Sequence, residues 1–125
     1  MSSNFQISGN ILKVDNFEIS FDYEIGEVKY WDGVYVVFLS LPRGAKEVDN
    51  VYGVNSEGEL IWRIENPVQA FNLDESEQGY DYYASSIYVG INLTPTGVLS
   101  ATTFFGMKYT FDHKTGKLLE KAFVK

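Results

Sequence analysis

A strand–turn–strand unit constrains this chain more than any other feature. Its clearest copy is Asn50–Glu65, NVYGVNSEGELIWRIE. Before the turn, Val51, Gly53 and Asn55 alternate with Tyr52 and Val54; after it, Leu60, Trp62 and Ile64 alternate with Glu59, Ile61 and Arg63. A period of two sends alternate side chains to opposite faces of a sheet, so the stretch predicts two paired strands. Asn55-Ser56-Glu57-Gly58 supplies the reversal, because Asn and Gly tolerate positive φ and Asn and Ser bond the nearby backbone.

The unit recurs. Tyr52, Val54 and Asn55 match Tyr109, Phe111 and Asp112 at a shift of 57, and Gly58 and Leu60 match Gly116 and Leu118 at 58. An earlier partial copy, NILKVD at 10–15, echoes NVYGVN at 50–55. Tyr30, Tyr35, Pro42 and Gly44 return as Tyr83, Tyr88, Pro95 and Gly97 at a shift of 53, which sets VYVVFLSLPRG beside IYVGINLTPTG. Insertions in loops account for the growing shift. The chain therefore reads as one all-β domain over residues 1–125, with repeats at about 30–64 and 83–123 and a partial copy at 10–22.

The remaining segments fit this plan. Asn10–Asp22 predicts a first hairpin, with Phe17, Ile19 and Phe21 on one face. Tyr23–Lys29 is acidic and broken by Gly26. Val34–Leu41 predicts a strand buried on both faces and ended by Pro42-Arg43-Gly44. Asn66-Pro67 suits an N-cap and a first helical position, so at most one short helix is expected, through Leu73. Ser86–Leu93, Val98–Phe105, Met107–Phe111 and Lys117–Phe123 complete the strands. Eight to ten strands make two to two and a half four-stranded blades.

YGVNSEGELIW and YTFDHKTGKLL resemble the quinoprotein-type (PQQ-like) β-propeller repeat: a strand ending in Asp, a short turn, Gly, then a strand with Trp four residues after the Gly. Gly58 and Trp62 keep that spacing, with Asn55 in the Asp place. Asp112, Thr115 and Gly116 keep the turn, but Glu120 stands where Trp is expected; the first copy has only Asp15. The resemblance implies propeller-like hairpins and a Trp that packs between blades; it implies no quinone cofactor. The architecture expected is an antiparallel meander, arranged as an open partial propeller, a sandwich or a barrel. A monomeric meander folded on itself is favoured over a ring completed by other subunits.

Charge narrows the function. The net charge of −7 argues against a nucleic-acid ligand, which needs a basic face. Residues 1–99 hold fifteen acidic and five basic side chains, and no Lys or Arg lies between Arg63 and Lys108. The longest apolar run, Val34–Leu39, is far short of the roughly 20 residues that span a bilayer. Met1–Asn10 has no basic residue and no apolar core of a leader, and cysteine is absent, so a cytoplasmic protein with no membrane partner is expected.

Catalytic signals are weak. His113, the one histidine, sits in the turn Asp112–Gly116, and neither a paired histidine nor a phosphate-binding glycine loop accompanies it. The acidic run Asp74–Asp81 places Asp74, Ser76, Gln78, Gly79 and Tyr80 at EF-hand-like positions, but Ser85 occupies the place of the bidentate Glu, so no metal or other cofactor is expected. Carboxylates beside tyrosines do compose a surface that steers and holds a basic protein. The candidate partner-binding residues are Asp74, Glu75, Glu77, Tyr80, Asp81 and Tyr82, with Tyr83 assigned to the repeat. A small, acidic, cysteine-free chain is similar in character to immunity proteins that neutralise basic toxins such as nucleases. The expectation is thus a non-enzymatic inhibitor. The alternatives are a small-ligand or carboxylate-dependent hydrolytic β protein and a structural assembly module.

Overall fold

The computed structural model describes residues 5–42, 47–70, 87–103 and 106–123. Strands β1 (Phe5–Ser8), β2 (Ile11–Val14) and β3 (Phe17–Ser20) form a first sheet. Strands β4 (Ile25–Trp31), β5 (Val34–Leu39), β6 (Val51–Asn55) and β7 (Leu60–Arg63) form a second. Strands β8 (Tyr88–Leu93), β9 (Leu99–Thr103), β10 (Met107–Phe111) and β11 (Leu118–Phe123) form a third. Each sheet is an antiparallel meander in chain order, and none closes into a barrel. One helical turn, Pro67–Ala70, follows β7; the rest of the helix expected through Leu73 lies outside the described residues.

Side-chain alternation turns these sheets into a stack with two cores. Leu12 on the first sheet packs with Ile25, Val28, Tyr35, Val37, Leu39 and Val54 on one face of the second. The opposite face presents Val34, Val36, Val51, Trp62 and Ile64 to Tyr88, Ile91, Leu99, Ala101, Tyr109 and Phe111 of the third. The middle sheet is therefore apolar on both faces, which explains why β5 reads as a continuous run; all of its residues are buried except the half-buried Phe38. It stops at Leu39 rather than Leu41.

The hairpin signal is accurate in detail. Asn55 Oδ1 accepts bonds from the amides of Glu57 and Glu59, both at 2.9 Å, and Gly58 takes φ 85°. Asp112 does the same in the last copy, accepting from Lys114 N at 2.7 Å, with Gly116 at φ 73°. An Asx-type carbonyl followed by a left-handed glycine closes both turns.

Two strands go beyond the sequence reading. β1 precedes the first predicted hairpin, and β4 occupies the stretch read as acidic and broken by Gly26. A bulge between Ile25 and Glu27 shifts the alternation there, and Gly26 lies under the Phe38 ring with no room for a Cβ. The 53-residue correspondence also changes meaning: Tyr35 lies on the second strand of its sheet and Tyr88 on the first strand of the next. Apolar strands ending in Pro-x-Gly look alike wherever they sit. The positional repeat is the terminal hairpin, β2–β3, β6–β7 and β10–β11.

Candidate partner-binding surface

A meander sorts its connections between two ends. Tight turns gather at one: Asn16 Nδ2 donates to Ser56 O across the first two sheets at 3.4 Å, and His113 Nε2 lies 3.1 Å from Asp32 Oδ2 across the second and third. The His113 carbonyl also accepts a 2.6 Å bond from Trp62 Nε1. The lone histidine is thus a clip between sheets.

The longer connections gather at the other end. Ile25 N donates to Gly9 O, Ser40 N to Glu24 O and Leu39 N to Asn50 O, which joins the β1–β2 turn to the β3–β4 and β5–β6 connections, and Asn50 in turn bonds Tyr88 at the start of β8. Among the described residues these connections bring Asp22, Glu24, Glu47 and Asp49 to this end.

Among the described residues the acidic end has a defined centre. Arg63 donates to Glu47 Oε2 at 3.1 Å, Val48 O at 2.6 Å and Asp49 O at 3.1 Å, and lies 5.4 Å from the Tyr52 ring centroid. One guanidinium thereby ties the β5–β6 connection to β7. Burial holds the Tyr52 hydroxyl above its ordinary range; Arg63 opposes this, while Glu47, Asp22 and Asp49 add to it. Beside it an open groove of about 330 Å³ is walled by Asp22, Tyr23, Glu24, Ser40, Leu41 and Pro42. Acidic rims, aromatic rings and an apolar floor suit a long cationic side chain.

Asp49 is the most perturbed carboxylate there. Its φ is 53°, and Asn66 Nδ2 reaches both its oxygens at 3.2 Å. Burial pushes it up to about 6, against the opposing pull of Asn66 and Arg63. A carboxyl raised in the folded state contributes stability that is complete below the unfolded value of 3.8 and is lost as pH climbs through about 6. Asp49→Asn keeps a residue suited to positive φ and removes this titration. It should stabilise the protein at pH 7 by roughly 1 kcal/mol, a solvent-screened part of what full burial would give. Urea unfolding at pH 4 and pH 7 should then show a flatter pH dependence than the parent; an unchanged slope would contradict the assignment.

The sequence-predicted residues Asp74, Glu75, Glu77, Tyr80, Asp81 and Tyr82 lie outside the described residues, as does the EF-hand-like run. Among the described residues no group of three His, Asp or Glu side chains is placed to hold a metal. Sequence reading missed Asp22, Glu24, Glu47 and Asp49 as a group, because two connections far apart in sequence supply them. The usable signal was that all four flank strand ends.

Residues 2–123 match the model of a domain of unknown function, DUF7957. The chain belongs to the DUF7957 family. No curated protein matches it. For this family member, solved structures that resemble it include two designed proteins. The computationally designed Ika4 protein superposes with a TM-score of 0.63 at 14% identity, over 100% of this chain and 70% of that one. The computationally designed Ika8 protein gives 0.53 at 13%, over 94% of this chain and 35% of that one. At such identities the likeness concerns the fold alone. No helix among the described residues is long and apolar enough to cross a membrane.

Proposed function

We propose that this chain is a non-enzymatic binding module whose acidic end holds a basic partner protein. An immunity-type inhibitor of a basic toxin such as a nuclease is the specific form we favour. The observation that carries the reading is the gathering of Asp22, Glu24, Glu47 and Asp49, from connections far apart in sequence, at one end of the three-sheet stack, in a chain of net charge −7. Such a field raises encounter rates with a basic surface and orients the approach. The Tyr23 and Tyr52 rings add aromatic contact area beside the carboxylates. A cytoplasmic monomer with neither nucleic-acid nor membrane partners fits this role, and the lack of cysteine is compatible with it.

The test is capture of the partner from the native host by the tagged protein at low and high salt. A variant with Asp22, Asp74 and Asp81 changed to Asn and Glu24, Glu75 and Glu77 changed to Gln runs beside it. A basic protein should be retained stoichiometrically and lost at high salt. Once purified, it should associate with the variant about 10- to 100-fold more slowly at low ionic strength. Salt-insensitive association, or equal rates for parent and variant, would defeat the proposal.

A further inference from the structure

Among the described residues the first sheet has one strand fewer than the other two. The second and third sheets each hold four strands and the first holds three. Matching the terminal hairpins aligns β2–β3 with β6–β7, so β1 corresponds to β5 and the vacant position is the one that β4 and β8 fill in their own sheets. In those sheets the position is well used: β4 pairs with β5 through Trp31↔Val34, and β8 pairs with β9 through Leu93↔Leu99.

The vacant edge is also unlike the other edges of the molecule. β4, β8 and the pairs β6–β7 and β10–β11 are all interrupted by register shifts, and β3 carries Glu18. Bulges and charges of this kind keep an edge from accepting another strand. β1, Phe-Gln-Ile-Ser, has no charge and no proline, and its register with β2 is unbroken. Its Ile7 is 41% exposed. An open cavity of about 570 Å³ lies at its start, between Phe5, Gln6, Lys13, Val14 and Asp15.

We propose that the free edge of β1 accepts an extended segment of another protein as a fourth, antiparallel strand. Backbone hydrogen bonds would supply the affinity and alternate side chains the specificity. The segment takes apolar residues on the face shared with Phe5 and Ile7 and polar ones on the face shared with Gln6 and Ser8. A segment fits better than a second copy, because a single strand needs only the slot that β4 and β8 occupy. A second copy brings a whole stack of sheets and another charge of −7. For the same reason basic flanks favour binding. The inference stands apart from the acidic end, whose carboxylates it does not use.

The probe is a synthetic peptide with the sequence Tyr88–Leu93 flanked by lysines, the chain's own occupant of the equivalent position. Amide hydrogen exchange is followed by NMR with and without it, and with a scrambled peptide. The outward-facing amides of β1 should slow by about tenfold with the peptide and not with its scrambled form. Ile7→Lys should abolish the slowing while β2–β3 protection, which reports folding, stays as in the parent. Neutral variants of Asp22 and Glu24 should leave it intact, which separates this test from that of the acidic end. Unchanged β1 exchange at millimolar peptide would overturn the proposal. So would protection of β1 in the peptide-free protein with a doubled molar mass, since a second copy would then fill the edge.

Discussion

Trp62→Ala should remove about 3–5 kcal/mol, as large as any single substitution in this fold and a sizeable share of the 5–15 kcal/mol typical of a domain. Trp62 is buried and meets Phe111 edge-on, with centroids 5.7 Å apart. Its ring lies over Gly53 in its own sheet, where a Cβ would collide with it, and over Gly116 in the next, where a Cβ would come within 2.7 Å. Two glycines thus make a slot, and one indole fills it while bonding the His113 carbonyl. Urea denaturation at constant pH is the measurement. Trp62→Phe should fall between, keeping ring area and losing the Nε1 bond. Introducing the same ring at the last copy through Glu120→Trp should add no comparable stability. Glu120 pairs with Thr110 on the exposed face of the third sheet, against which none of the described sheets packs. A strong gain from Glu120→Trp or a mild loss from Trp62→Ala would refute this account of the stack.

That contrast shows what the sequence carries and what it does not. The repeat is written in local chemistry, and Asn55, Gly58, Asp112 and Gly116 form the turns their types demand. The departure of Glu120 from the pattern has a meaning only once its face of the third sheet is known to be exposed among the described residues. β4 escaped the alternation because Gly26 and its bulge shift the phase by one residue. The acidic end escaped for a different reason. Asp22, Glu24, Glu47 and Asp49 belong to separate connections, and only the meander topology assigns them to one end. The acidic run at 74–81 was visible because its charges adjoin in sequence. Charge density along a chain is legible; charge density in space is not.

Asn50 gives the second large effect, and it separates a hydrogen-bonding role from simple packing. Its Nδ2 donates to Leu39 O at 2.8 Å and Tyr88 O at 2.9 Å, and its Oδ1 accepts from Tyr88 N at 2.8 Å. A side chain 2% exposed therefore pairs both backbone groups of Tyr88 and ties the second sheet to the third. Asn10, its counterpart in the first hairpin, likewise donates to Phe21 O at 2.6 Å, on the path into the second sheet. Met107 stands at this position in the last copy, and no described sheet follows β10–β11. Asn50→Ala strands buried donors and acceptors and should cost about 2–4 kcal/mol. Asn50→Asp is the sharper test, because the shape is kept and only the donor is replaced. Ionised, the new carboxyl would set a negative oxygen against two carbonyls in a buried place; protonated, it could donate to one of them. Burial and the carbonyls raise its folded pKa, so the variant's stability should be greatest in acid and fall as pH rises through that value. Asp49 titrates beside it, and repulsion between the two adjacent carboxylates, when both are ionised, adds to the deficit at high pH. The deficit of Asn50→Asp relative to the parent, measured by urea unfolding, should shrink on going from pH 7 to pH 4. A deficit that stays constant across that range would mean that packing, and not the tie to Tyr88, is what Asn50 provides.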